Sequence, residues 1–194
     1  MADKQQPELR LQERRLRKVK VNKDGGLTVE YEEVYYDDVA LATTTVKEVK
    51  TSDAPAHEDL LERFKPFTEH LMLVCEMIRE PKGRPPFDGS LNSTNPYVVG
   101  SITTRGGEDE KPVQVFTFGR KKLKSGHVTN FGTYGVKLNH AAEPYKWADD
   151  MEKHLDGLTE EVWAYVFEGK RAADPQTSIL DPDQTDGDGE EPDA

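Results

Sequence analysis

The chain has one cysteine, Cys75, in 194 residues. No internal disulfide can form, and a lone thiol fits a reducing compartment, so the cytoplasm is the expected location. Also missing is any run of about 18 apolar residues, which argues against a membrane-spanning helix. Residues 1–6 are polar and offer no apolar stretch of the kind a secretory signal uses. Apolar residues make up only 35% of the chain, against 32% charged, and the polarity gathers at the two ends, leaving the middle to supply a core. The length suits one ordinary domain and is too short for two large ones.

Catalytic motifs are missing too. There is no Gly-x-Ser-x-Gly elbow and no phosphate loop of the Walker type. His57, His70, His127, His140 and His154 are scattered without a His-x-x-x-His pair, and one cysteine cannot build a thiolate site. Residues 181–191 look superficially like a calcium loop, but a glycine at its sixth position and an acid at its twelfth cannot both be placed. Cys75 falls on an apolar helical face with Leu71 and Ile78, where a small buried hydrophobe is expected rather than a nucleophile. No metal and no cofactor is expected, and a binding protein fits better than an enzyme.

What the chain does have is charge, unevenly spread. The formal net charge is −11, yet residues 174–194 hold eight acids and no base, and without them the rest stands at −3. Residues 10–23 carry seven bases against Glu13, a local charge of +6. A second basic run is Arg120, Lys121 and Lys122 with Lys124. The polarised pattern is therefore more informative than the total.

Periodicity predicts an α+β fold. Residues 17–21 and 27–31 alternate apolar and polar around a turn cluster at 22–26, a β-hairpin signal. Residues 43–49, rich in β-branched side chains, predict a third strand. Leu60, Phe64, Phe67, Leu71, Val74 and Ile78 then step by three and four, one face of a helix. Ser52 or Asp53 is placed to cap it, and Pro66 predicts a kink or a break into two short helices. After a proline-rich connection at 80–96 the order repeats. Strands are predicted at 97–104 and 113–118, and a weaker one, interrupted by glycines, at 127–138. A helix from Pro144 carries Met151, Leu155, Leu158 and Val162 on one face, with Gly169 as its stop. The expectation is an antiparallel sheet with two amphipathic helices in the order βββα-βββα, one domain over 10–172. Residues 1–9 and the acidic tail, 173–194, are expected to be disordered, the tail for want of apolar content.

The features that carry functional information are electrostatic and aromatic. Phe116 and Phe118 lie two apart and so share one face of a strand, with Arg120, Lys121, Lys122 and Lys124 immediately after. Single-stranded nucleic acid is held in this way, bases stacking on rings and phosphates pairing with Lys and Arg. Arg14, Arg15, Arg17, Lys18 and Lys20 could line the same groove. The competing reading has both rings facing the core and the basic run after them as a solvated turn, with residues 14–20 as a charged edge strand that resists aggregation. Where the rings point discriminates the two.

A basic core followed by a flexible acidic C-terminus resembles, in layout, the single-stranded-DNA-binding proteins of phages and bacteria. The resemblance implies a tail that competes with DNA and recruits replication partners, although Glu191-Pro192-Asp193-Ala194 lacks the aromatic that usually ends such tails. The core also lacks an OB-fold pattern, its helices being too prominent. Gln176, Ile179 and Leu180 resemble the bacterial sliding-clamp-binding peptide, which implies docking of the apolar pair on a clamp or another replication protein. Residues 165–172 are similar to the end of a group of uncharacterised phage and prophage proteins, which implies a bacterial host cell. Two functions follow: binding of single-stranded DNA as a replication accessory, or adaptor-type inhibition of a host replication or defence protein. Exposed strand edges leave room for a dimer.

Overall fold

The alternation in the first hairpin runs further than its apolar signal. In the computed structural model, which describes residues 9–90, 97–108 and 111–172, strand β1 spans Leu9–Val21 and β2 spans Leu27–Asp37. They join through a turn in which Gly25 adopts φ +87° and the Asn22 N–H donates to the Gly26 carbonyl at 2.8 Å. Strand β3, Ala42–Ser52, pairs with β2 along its whole length. The second half repeats the meander with β4 (Tyr97–Arg105), β5 (Gln114–Lys122) and β6 (Val128–Gly132). A two-residue β7, Val136–Lys137, continues along the same side of β5 after a break at Thr133, Tyr134 and Gly135. The glycine-interrupted strand expected at 127–138 is thus two pieces.

Among the described residues these seven strands form one antiparallel sheet in the order β3-β2-β1-β4-β5-β6, with β7 beside β5. The two meanders meet at the β1–β4 seam, which is only three residue pairs long: Lys18 with Thr103, Val19 with Ile102, Lys20 with Ser101. Bulges flank it, between Leu16 and Lys18 on β1 and between Val99 and Ser101 on β4.

The helical stretch of the first half is broken where proline predicts. Helix α1 covers Glu58–Glu62 and α2 covers Lys65–Val74, with Pro66 in the first turn of α2, where a missing N–H costs nothing. The cap of α1 is His57, whose Nδ1 accepts from the Asp59 N–H at 3.2 Å, rather than Ser52 or Asp53. Helix α3, Ala148–Trp163, starts four residues after Pro144 and ends in a π-helical turn, Ala164–Glu168, that Gly169 stops at φ +75°. No helix among the described residues is long and apolar enough to cross a membrane.

All three helices lie on one face of the sheet. Val19, Val29, Ile102 and Val115 from the strands are buried with Phe67 and Leu71 of α2 and Met151, Leu158 and Val162 of α3. The assignment of helices to strands is crossed. Helix α2 covers the second meander: its Leu71 fills the space that a side chain at Gly119 would need, an ideal Cβ there falling 2.5 Å from Leu71 Cδ2. The end of α3 covers the first meander instead. Tyr31 of β2 packs edge-on against Trp163 and Phe167, each at 5.6 Å, and Tyr165 donates its hydroxyl to the Ala54 carbonyl at 2.6 Å. The opposite face of the sheet carries no helix among the described residues.

Candidate nucleic-acid interface

Register and alternation sort the side chains of β4, β5 and β6 between the two faces. Val99, Ile102, Val115, Thr117 and Gly119 are buried towards the helices. On the other face lie Ser101, Thr103, Phe116, Phe118 and Arg120, with Lys18 and Lys20 adjoining across the seam. Phe118 is 44% exposed, and its ring lies over Gly132 of β6, where an ideal Cβ would come within 2.9 Å of it. Phe116 is half-buried and carries the Arg105 guanidinium over its ring at 5.0 Å. Both aromatics therefore point away from the core.

The bases of β1 mostly have carboxylate partners. Arg14 pairs through Nε with Glu33 at 2.8 Å and lies over the Phe167 ring at 4.1 Å, on the helix side. Arg15 pairs with Glu13 at 2.6 Å, and Lys18 with Glu30 at 2.7 Å. Arg17, the extra residue of the β1 bulge, binds Glu32 with two nitrogens, at 2.8 and 2.6 Å, donates to the Gly106 carbonyl at 2.7 Å and also meets Glu108. Burial works to raise the pKa of Glu32, but Arg17 and Lys47 outweigh it and hold the carboxyl below its ordinary range. Glu33 is likewise held low, by the Tyr35 hydroxyl and then Arg14. These pairs join β1 to β2 and to the β4–β5 loop.

The remaining bases are differently placed. Lys20, Arg120 and Lys122 have no ion pair among the described residues and are exposed. Lys121 turns to the helix side, its ammonium 4.6 Å above the Tyr97 ring. Lys124 stands in the exposed turn after β5. The sequence pattern behind this is simple: β4, β5, β6 and β7 contain no aspartate or glutamate, in a chain of net charge −11. Strand β2, by contrast, holds Glu30, Glu32, Glu33 and Asp37. The structure thus brings Lys20, Phe116, Phe118 and Arg120 onto one open face and ties Arg14, Arg15, Arg17 and Lys18 into salt bridges. Gln176, Ile179 and Leu180 lie outside the described residues.

Sequence reasoning did not single out Ser101, Thr103, Arg105 or Asn130, polar neighbours of the two rings on the same face. The absence of acids from three successive strands was the available signal. Cys75 is half-buried against the core, its Sγ 3.6 Å from the Gly132 carbonyl, and burial raises its thiol pKa. Among the described residues no group of three or more His, Cys, Asp or Glu side chains is placed to hold a metal ion. The chain matches no protein-family model, no curated protein and no solved structure.

Proposed function

We propose that the protein binds single-stranded DNA on the open face of β4–β6, as a replication accessory of phage type in the cytoplasm of a bacterial host. The observation that carries this is the outward placement of Phe116 and Phe118 on an acid-free half-sheet beside Lys20 and Arg120. Ring faces accept bases of any sequence, and the unpaired bases accept phosphates as condensed counterions are released. The paired residues Arg14, Arg15, Arg17 and Lys18 then serve mainly to hold the sheet together. The alternative, an adaptor that docks on a host protein, rests on the peptide at Gln176, Ile179 and Leu180 and leaves the aromatic face without a role.

The test is fluorescence anisotropy of a labelled thymidine 12-mer titrated with the full chain. Phe118→Ala should weaken binding about tenfold or more, in line with about 1–3 kcal/mol per stacked base. Lys20→Gln and Arg120→Gln should each flatten the salt dependence by about 0.7 in logarithmic slope. Arg14→Gln, on the helix side, should leave that slope unchanged. Ending the chain at Ala173 should tighten binding at low salt, because eight acids no longer compete for the face. Absence of binding by both full and shortened chains at low salt would sink the reading and favour the adaptor.

A further inference from the structure

Beyond Lys20 and Ser101 the two central strands part. The β1–β4 ladder stops there, while β1 runs on to Val21 and β4 extends back to Tyr97. The gap between them opens into a cleft of about 790 Å³ that passes from the open face down to the helices. Its apolar lining comprises the buried Phe64 of the helical layer and Val99 of β4, with the more exposed Leu61 of α1 and Phe131 of β6. Its rim is shared with the proposed interface, since Lys20, Phe118 and Arg120 line the cleft as well as the face. Among the described lining residues three bases, Lys20, Lys65 and Arg120, stand against one acid, Asp88.

We propose that this cleft is a nucleotide site, taking one base out of the stack with the adjoining phosphate at Lys20 and Arg120. Three features of the cleft match that ligand. A base is a flat ring with apolar faces and polar edges, and the apolar walls are accompanied by Thr68, Ser101 and Asn130 to meet the edges. The volume lies in the range of small-molecule clefts, large enough for a whole nucleotide. Continuity with Phe118 lets a strand lying on the face turn one base inward without leaving its phosphate contacts. A free nucleotide shares the same chemistry. The inference rests on the reading of the face as a DNA interface, and a distinct set of residues reports on it.

The test is a ¹⁵N–¹H spectrum of the full chain titrated with dTMP, with a thymidine 12-mer, and with a 12-residue abasic strand of equal charge. Leu61 and Thr68 report on the helix wall of the cleft, and Thr103 and Phe116 on the open face. The expected result is that dTMP and the 12-mer shift Leu61 and Thr68, and the abasic strand does not. Gly100→Leu should abolish those shifts and weaken the 12-mer about tenfold, the loss of one held base, while Thr103 and Phe116 still respond. Gly100 lines the cleft and a Cβ there meets nothing within 4 Å, so a side chain can start at this position and occupy part of the cleft. If the 12-mer shifts Thr103 and Phe116 while neither it nor dTMP moves Leu61 and Thr68, the base site is refuted and the interface stands. If dTMP alone shifts Leu61 and Thr68, the cleft is a free-nucleotide site and the strand source is overturned. Silence with all three ligands overturns both readings.

Discussion

His70 of α2 and His154 of α3 meet where the two helices touch, Nε2 of the first 2.9 Å from Nδ1 of the second. His70 is fully buried, bonded to the Tyr145 hydroxyl at 2.7 Å and stacked on Phe87 at 4.3 Å. Burial pushes its pKa well below the ordinary histidine value, with the charge of His154 adding to the effect. Burial also lowers His154; Asp150 opposes the shift, while Arg84, Lys153 and Arg63 reinforce it. A histidine depressed in the folded state binds its proton more readily when unfolded. Stability is therefore complete above the unfolded value, about 6.5, and is lost as pH falls below it, by at most about 1.4 kcal/mol per pH unit for each proton. Thermal melts between pH 7.5 and 5 should show this loss, and His70→Gln, which keeps an amide in the network, should reduce the slope. Equal slopes for the two proteins would place the pH dependence elsewhere. Nothing in the spacing of residues 70 and 154 announces this pair, since it depends on which helices touch.

At the scale of elements, the local signals that translated directly were those that state a backbone condition. Gly25 and Gly26 mark the hairpin turn, Pro66 marks the break between α1 and α2, and Gly169 ends the last helical turn. The basic stripe of β1 was harder to interpret from its own residues. Part of its positive charge is met by carboxylates on β2, and only the register, Arg14 opposite Glu33 and Lys18 opposite Glu30, shows this. Phe116 and Phe118 were legible as a face but not as the outer face, because alternation is silent on which side the helices take. Within β1 the contacts are unequal, and the bulge residue is expected to matter most. Arg17→Ala removes four polar contacts, two of them to the buried Glu32 carboxylate, and should cost about 2–3 kcal/mol. Arg14→Ala, more exposed, should cost about 1 kcal/mol or less. Urea unfolding midpoints of the two variants check the ordering.

For the whole molecule, charge and topology divide the sheet in two. The β1–β3 half is tied by ion pairs, while the strands β4–β6 contain no acid, and the halves share three residue pairs and a helical layer. The repeated βββα order was legible. The crossing of the helices was not, because each βββα unit read alone places its helix over its own strands. With α2 on the second meander and the end of α3 on the first, neither half has its own cover. Residues 1–90 and 91–194 expressed apart should each fail to give dispersed amide spectra, and mixing them should restore the spectrum of the intact chain. A fragment that folds alone would contradict this mutual dependence.

The crossing also bears on how the protein is made. On the ribosome the first three strands emerge with their apolar face bare, and Trp163 and Phe167, which will close over Tyr31, follow about 110 residues after β3. At about 5–20 residues per second that interval lasts on the order of 5–20 s. Throughout it the apolar face of the first three strands stays open to holding chaperones, and the fold can close only once the end of α3 has emerged.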